Sequence, residues 1–223
     1  EFVARPTRCP LVTGVLSPRS ALIFAISLVI LAFIWLCAFV NLLSAFLAVA
    51  ACLFYVFVYS LWLKRSSTSN IVIGGAAGAV PVLIGWSSVT NSLDWPPVIL
   101  FLLIFLWTPP HFWALAIRYR EDYSNANVPM LPVIEGTKVT GYRMVLYAFQ
   151  VWAISLIFVP VADMGLIYLI SAILLGAIFT FFSFQVMIRP TQKSAMRLFG
   201  FSISYITILF TLIAVDQLVR SGF

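Results

Sequence analysis

The sequence predicts an all-α, polytopic transmembrane helix bundle, and three observations predict it. Of the 223 residues 63% are hydrophobic and 9% charged, with a mean hydropathy of +1.09, far more apolar surface than one water-soluble core of this length can hide. Seven stretches of predominantly apolar residues, each about 20 long, suffice as helices to cross a hydrocarbon core about 30 Å thick. Finally, the basic residues recur at every second junction between these stretches, as in a chain that weaves back and forth across a bilayer.

The expected spans cover residues 21–40, 42–63, 71–90, 96–117, 141–159, 165–188 and 196–218. Arg5, Arg8 and Arg19 precede the first. The first two form one uncharged run too long for a single crossing, and Asn41 is the only break in it; this predicts a tight helical hairpin. Lys64 and Arg65 follow the second span, Arg118, Arg120, Lys138 and Arg143 the fourth, and Arg189, Lys193 and Arg197 the sixth. The intervening turns carry only Asp94 and Asp163. Twelve of the 13 basic residues therefore fall on one side, with Arg220 the exception. The positive-inside rule makes that side cytoplasmic.

The net charge of +6 is thus a topology signal. Divided among short loops at membrane edges, it forms no stripe of the kind that nucleic acid requires. Cys37 and Cys52 lie inside apolar spans and Cys9 stands alone, without C-x-x-C pairing or metal-ligand spacing, so they read as unpaired thiols. The opening EFVARPTRCPLVTG lacks an initiator Met and has no signal- or transit-peptide character; it reads as a chain cut from something longer.

Polar groups at membrane depth contribute nothing to stability there, which makes them candidates for function. The stretch WTPPHFWALAIRYRED places Pro109, Pro110 and the chain's only histidine, His111, within the fourth span. The two rings should bend the helix and free the carbonyls of Phe105 and Leu106. His111 then either satisfies those carbonyls or faces a cavity as an iron ligand or proton-transfer group. Glu121 and Asp122 follow among Arg118, Arg120 and Lys138. Carboxylates can hold Mg²⁺ while guanidinium and ammonium groups bind the same anion, which is the equipment for a diphosphate. A second acidic cluster should face this one, since Mg²⁺ shares its shell with substrate phosphates. In NIVIGGAAGAVPVLIGW, Gly74, Gly75 and Gly78 lie in a span and not at a strand-to-helix turn, which excludes a dinucleotide fingerprint. They serve close helix packing or a cavity wall that a flat substrate can approach.

Three segments, YSLWLKRSSTSNIVIGGAAGAVPVLIGW, WTPPHFWALA and DYSNANVPMLPVIEG, in that order, resemble the consecutive motifs of the protoheme IX farnesyltransferase (heme O synthase) family, within the UbiA prenyltransferase superfamily. The likeness runs from about Arg5 to the C-terminal LFGFSISYITILFTLIAVDQLV. It implies nine transmembrane helices around a cavity that opens to the cytoplasm, of which the seven found here are the last. It also implies transfer of farnesyl from farnesyl diphosphate to the 2-vinyl group of heme B, giving heme O and diphosphate, with Mg²⁺ as cofactor. Association with heme A synthase or terminal-oxidase assembly is implied as well.

By position the resemblance places Asp122 and Tyr123 in the second acidic motif, Lys64, Arg65 and Asn70 in a basic loop and His111 in the Trp-Thr-Pro-Pro-His segment; Asp122, Tyr123 and His111 are the catalytic candidates. Asp122 and Glu121 fall to the metal, and His111 also to heme. Arg5, Lys64, Arg65, Asn70, Arg118, Arg120 and Lys138 fall to the diphosphate. Tyr59, Trp62, Trp107, Phe112 and Trp113 are aromatic candidates for sheltering an allylic cation. Where the family reads Arg-Thr-x-x-Arg-Pro-Leu, this chain has Arg5-Pro6-Thr7-Arg8-Cys9-Pro10-Leu11, so Cys9 stands in place of an arginine. The family's first motif, Asn-x-x-x-Asp-x-x-x-Asp, is absent and is expected immediately before Glu1. Residues 1–223 are accordingly expected to be one transmembrane prenyltransferase domain lacking the first two helices and that motif, and to be inactive alone. Two alternatives are weighed beside this reading. One is a prenyltransferase for another acceptor, such as a quinone precursor or a chlorophyllide. The other is a membrane transporter or subunit, which would call for internal repeats that the sequence does not show.

Overall fold

The computed structural model describes residues 10–11 and 13–222, with Arg65 by its backbone alone. Helix α1 (Pro18–Phe39) is followed by α2 (Leu42–Leu53), which continues as a π-helical segment, Phe54–Leu63, and a short turn, α3 (Lys64–Ser66). Then come α4 (Asn70–Thr90), α5 (Trp95–Arg118), the short α6 (Arg120–Asn125) and α7 (Leu131–Ile134), and finally α8 (Gly136–Val161), α9 (Leu166–Ile188) and α10 (Gln192–Ser221). All seven expected spans are present as helices long and apolar enough to cross a membrane. The protein is an integral, multi-pass membrane protein.

The helix ends follow capping chemistry more than hydropathy. Ser17 caps α1, accepting from the Ser20 amide at 3.0 Å, with Pro18 at the first helical position. Asn41 breaks the first hairpin as expected. Its side chain accepts from the Ser44 amide at 2.8 Å and donates to the Ser87 carbonyl at 2.6 Å, tying α2 to α4. Thr191 and Ser194 form a capping box that starts α10 at Gln192, four residues before the expected span.

Helices α5, α8, α9 and α10 close a ring in which each packs on the next and α10 returns to α5. Their shared core includes Trp113, Met144, Tyr168, Phe179 and Tyr205, all fully buried. Close approach requires glycine at Gly141, where an added Cβ would stand 2.8 Å from the Met187 Cα, and at Gly176, which lies under the Trp152 ring. Outside the ring, α4 packs on α5, α2 on α4 and α1 on α2. Helix α1 buries no side chain; it is apolar all round, as a helix solvated by lipid can be.

The two ends of the bundle differ. One, the turn end, carries Asn41, the turn before α5 and the turn before α9. There Asp216 of α10, 1% exposed, accepts from the Gly165 amide at 2.6 Å and the Tyr168 amide at 3.1 Å. A carboxylate on one helix thereby satisfies the orphan N–H groups that open another and sits where the helix dipole is positive. Arg220 pairs with Asp163 at 2.8 Å beside it. The opposite, charged end gathers α3, α6, α7 and the α9–α10 junction.

Candidate active site

The site is built where α5 ends. Helix α5 runs unbroken through Pro109 and Pro110 to Arg118, and α6 turns immediately away with Glu121 and Asp122 in its first turn. These residues open onto a polar cavity of about 490 Å³ lined by Arg118, Arg120, Glu121 and Asp122, with Ser124, Thr137 and Gln192. Among the described residues the only ion pair at this end is Glu135–Arg143, at 2.7 Å. The two carboxylates and two guanidinium groups of the cavity are therefore present together without an ion pair among the described residues, Arg118 lying over the Tyr119 ring at 5.5 Å, which suits groups that await a charged ligand. Thr137 and Gln192 come from the starts of α8 and α10, and nothing local in the sequence marks them.

Burial pushes the Tyr123 phenol up, and the neighbouring Asp122 carboxylate and Tyr119 add to that shift. The hydroxyl thus stays protonated and remains a donor. Tyr123 packs against the core and lies within electrostatic range of Tyr59. Adjacent residues therefore serve two compartments: Asp122 lines the polar cavity, and Tyr123 reaches toward the aromatic cavity.

That second cavity, about 250 Å³, lies between the π-helical segment, α4 and α5, and is lined by Tyr55, Tyr59, Trp107, Thr108 and Phe112 with the glycines of α4. Hydrogen bonding to the fifth residue widens the turns of the π segment, a form concentrated at functional sites. It sets Tyr55 and Tyr59 together, ring centroids 5.2 Å apart, on the cavity side. The glycines divide the two roles expected of them. Gly74 lies against the Tyr59 ring and Gly75 against Thr108, an added Cβ there meeting Thr108 Cγ2 at 2.9 Å, whereas a Cβ on Gly78 would meet nothing within 4 Å. Gly74 and Gly75 allow close packing; Gly78 is open cavity wall. Of the aromatic candidates, Tyr59, Trp107 and Phe112 line this space, Trp62 points outward at 65% exposure and Trp113 is core.

His111, 9% exposed, bonds across to α10 and not back to its own helix: Nδ1 lies 2.6 Å from Ser202 Oγ. Its ring is stacked between Trp107, at 4.3 Å, and Phe199, at 4.6 Å. Asn70 is fully buried at the start of α4; its amide donates to the Lys64 carbonyl at 3.4 Å and its Oδ1 has no partner. Lys64 stands on the adjoining α3 turn. Lys138 lines an adjoining, mostly apolar hollow with Tyr142 and Ile188, next in sequence to Thr137 of the polar cavity. Arg189, Lys193 and Arg197 line a basic hollow of about 550 Å³ at the α9–α10 junction. Arg5, with Arg8 and Cys9, lies outside the described residues, as does the Arg65 side chain.

Two unpaired carboxylates facing one cavity fit a hard divalent cation, which takes one or two protein carboxylates and completes its shell with water and phosphate oxygens. Among the described residues no group of three or more His, Cys, Asp or Glu side chains gathers. The donor set therefore suits a metal shared with a phosphorylated substrate more than an all-protein cage.

The UbiA prenyltransferase family matches this chain over residues 3–208. A protoheme IX farnesyltransferase of Clavibacter michiganensis subsp. michiganensis is 48% identical over 221 residues, 98% of this chain and 72% of its own. One from Leifsonia xyli subsp. xyli is 51% identical over the same shares, and one from Picosynechococcus 49% identical over 96% of this chain and 68% of its own. A solved structure reported for digeranylgeranylglyceryl phosphate synthase superimposes with a TM-score of 0.78 over 95% of this chain and 74% of that one, at 22% identity. This last likeness is one of fold.

Proposed function

The chain belongs to the UbiA prenyltransferase family, and on that premise we propose that it transfers farnesyl from farnesyl diphosphate to the 2-vinyl group of protoheme IX, giving heme O and diphosphate. The observation that carries the proposal is about 50% identity, over nearly the whole chain, to protoheme IX farnesyltransferases of several bacteria. The charged end then lies in the cytoplasm and the bundle in the bacterial cytoplasmic membrane, as the distribution of basic residues favours.

In this reading Asp122 and Glu121 hold Mg²⁺, which when bound neutralises charge on the diphosphate as it departs. Arg118 and Arg120 clamp the same phosphates with forked donors, and Lys64 and Asn70, with Arg65, close the diphosphate site from the α3–α4 side. Arg5 is a diphosphate contact proposed from family position, and Lys138 one proposed from its place among the charges that follow the fourth span. The allylic carbon that loses diphosphate becomes electron-poor. Tyr59, Trp107 and Phe112 offer it π faces in a mostly apolar cavity, and the open wall at Gly78 leaves room for a flat acceptor. Tyr123 links the two compartments as a hydrogen-bond donor. Heme O is a substrate for further oxidation, which supports association with heme A synthase or terminal-oxidase assembly.

The test is expression of the gene in a bacterial host whose own heme O synthase has been deleted, with extraction of the hemes. Heme O of the expected mass, absent from the empty-vector strain, is the expected result. Prenylation of a quinone precursor with heme B unchanged would replace this reading with the other-acceptor alternative.

A further inference from the structure

We infer that Ser202 is a positioning residue that holds His111 with its proton on Nδ1, leaving Nε2 bare as the proton acceptor of the reaction. The assignment follows from counting protons. Ser202 Oγ lies 2.6 Å from the Phe199 carbonyl oxygen and 2.6 Å from His111 Nδ1. A carbonyl has no proton to offer, so the hydrogen bond between these two oxygens uses the hydroxyl proton. The single hydroxyl proton of Ser202 is therefore committed to Phe199. The Nδ1 contact must then be donated by the imidazole, so a neutral His111 carries its proton on Nδ1 and a lone pair on Nε2.

Ser202 also fixes the ring's neighbour. Its own carbonyl accepts from Trp107 Nε1 at 2.9 Å, so one fully buried residue of α10 anchors two residues a turn apart on α5. Trp107 and Phe199 stack on the imidazole at interplanar angles of 18° and 22°, and Phe112 stands edge-on to it at 5.1 Å, which leaves only part of its edge open. This shape decides between the two uses of a bare nitrogen. A porphyrin bound through iron lies across the end of its axial imidazole and needs clear space on both sides of it. A proton needs only the edge, and the imidazolium it forms sits between two π faces that favour a cation.

The identity of the proton rests on the farnesyl-transfer reading, whereas the tautomer does not. In that reaction the allylic C–O bond breaks with its electron pair leaving on diphosphate, and the vinyl π pair forms the new C–C bond. Water adds through oxygen to the side-chain cation so formed, and one of its protons must leave. Nε2 of His111 takes it.

His111 is the chain's only histidine, so [¹⁵N]histidine labelling of tag-free protein in bilayers reports one residue. The expected spectrum has a protonated, pyrrole-type Nδ1 and a bare, pyridine-type Nε2. In Ser202→Ala both signals should move toward a tautomeric average, and Ser202→Thr, which keeps the hydroxyl, should restore them. Heme O formation should fall at least about tenfold in Ser202→Ala, within the range for a misplaced general base, with KM for heme B unchanged and recovery in Ser202→Thr. A wild-type spectrum with the proton on Nε2 would overturn the tautomer. An unaltered spectrum or full turnover in Ser202→Ala would overturn the positioning role. A coordination shift of Nε2 on adding zinc protoporphyrin IX, a diamagnetic stand-in that takes one axial nitrogen, would overturn the proton-acceptor role in favour of ligation. Absence of heme O from the wild type would remove the proton's identity together with the farnesyl-transfer reading, while the spectrum still decides the tautomer.

Discussion

The two ends of the bundle hold similar side chains in opposite states. At the turn end every charged group among the described residues has a partner: Asp216 takes two backbone amides, Arg220 takes Asp163, and Asp94 accepts from Ser92 and Trp86. At the charged end Glu135 and Arg143 pair with each other, but Glu121, Asp122, Arg118 and Arg120 share one cavity with no ion pair to any described residue. Proximity alone would favour pairing, so the difference lies in geometry: one end is arranged to satisfy itself and the other to receive something. It follows that substitutions at the charged end should cost turnover, and those at the turn end stability.

The largest expected effect tests the receiving end. Asp122→Asn keeps the shape of the side chain and removes one ionic ligand, so heme O formation should fall at least about 100-fold, in line with the loss of one electrostatic contact to a transition state. Protein level in the membrane should hold. Wild-type turnover would erase the distinction between the ends.

Next, Asp216→Ala should strip two amides of their acceptor and lower stability by about 2 kcal/mol, the scale for hydrogen bonds to a charged group. Thermal unfolding in detergent measures it. Gly165→Ala should act in the same direction, since its new Cβ would stand 2.9 Å from the Asp216 carboxylate. Equal stability in both variants would show that the clasp is dispensable.

A smaller effect separates cavity from packing. Gly78→Ala meets nothing within 4 Å and should leave the unfolding temperature unchanged while raising KM for heme B a few-fold, because it fills the open wall that the flat acceptor approaches. Loss of stability instead would move Gly78 to the packing class of Gly75. The smallest effect is expected of Arg220→Gln. Its partner Asp163 is 91% exposed, and pairs so open to solvent contribute within about 0.5 kcal/mol.

The seven spans and the Asn41 break were legible because hydropathy and length decide them. The helix ends were not, since windows of hydrophobicity stop at charge: α8 and α10 begin four or five residues early, at Gly136 and Gln192, carrying Lys138 and Lys193 as helical turns beyond the apolar segment. The acidic turn and the glycine wall could be read locally. The partner of His111 could not, because Ser202 lies 91 positions away and serine in an apolar helix is ordinary. Nor does the local pattern disclose the π turns that set Tyr55 and Tyr59 together. Asp216 left a signal that hydropathy averaged away: a lone acid within an apolar run requires a partner.

During synthesis the Asp216 clasp becomes a matter of timing. The ribosome delivers α9 before α10, so the opening amides of α9 reach the membrane while their acceptor is not yet made. Unsatisfied amides are costly in hydrocarbon, which favours holding the start of α9 at the wet interface until α10 arrives. On that account α9 and α10 enter their final positions as a pair, and the closing of the four-helix ring is the last event in the assembly of the described bundle.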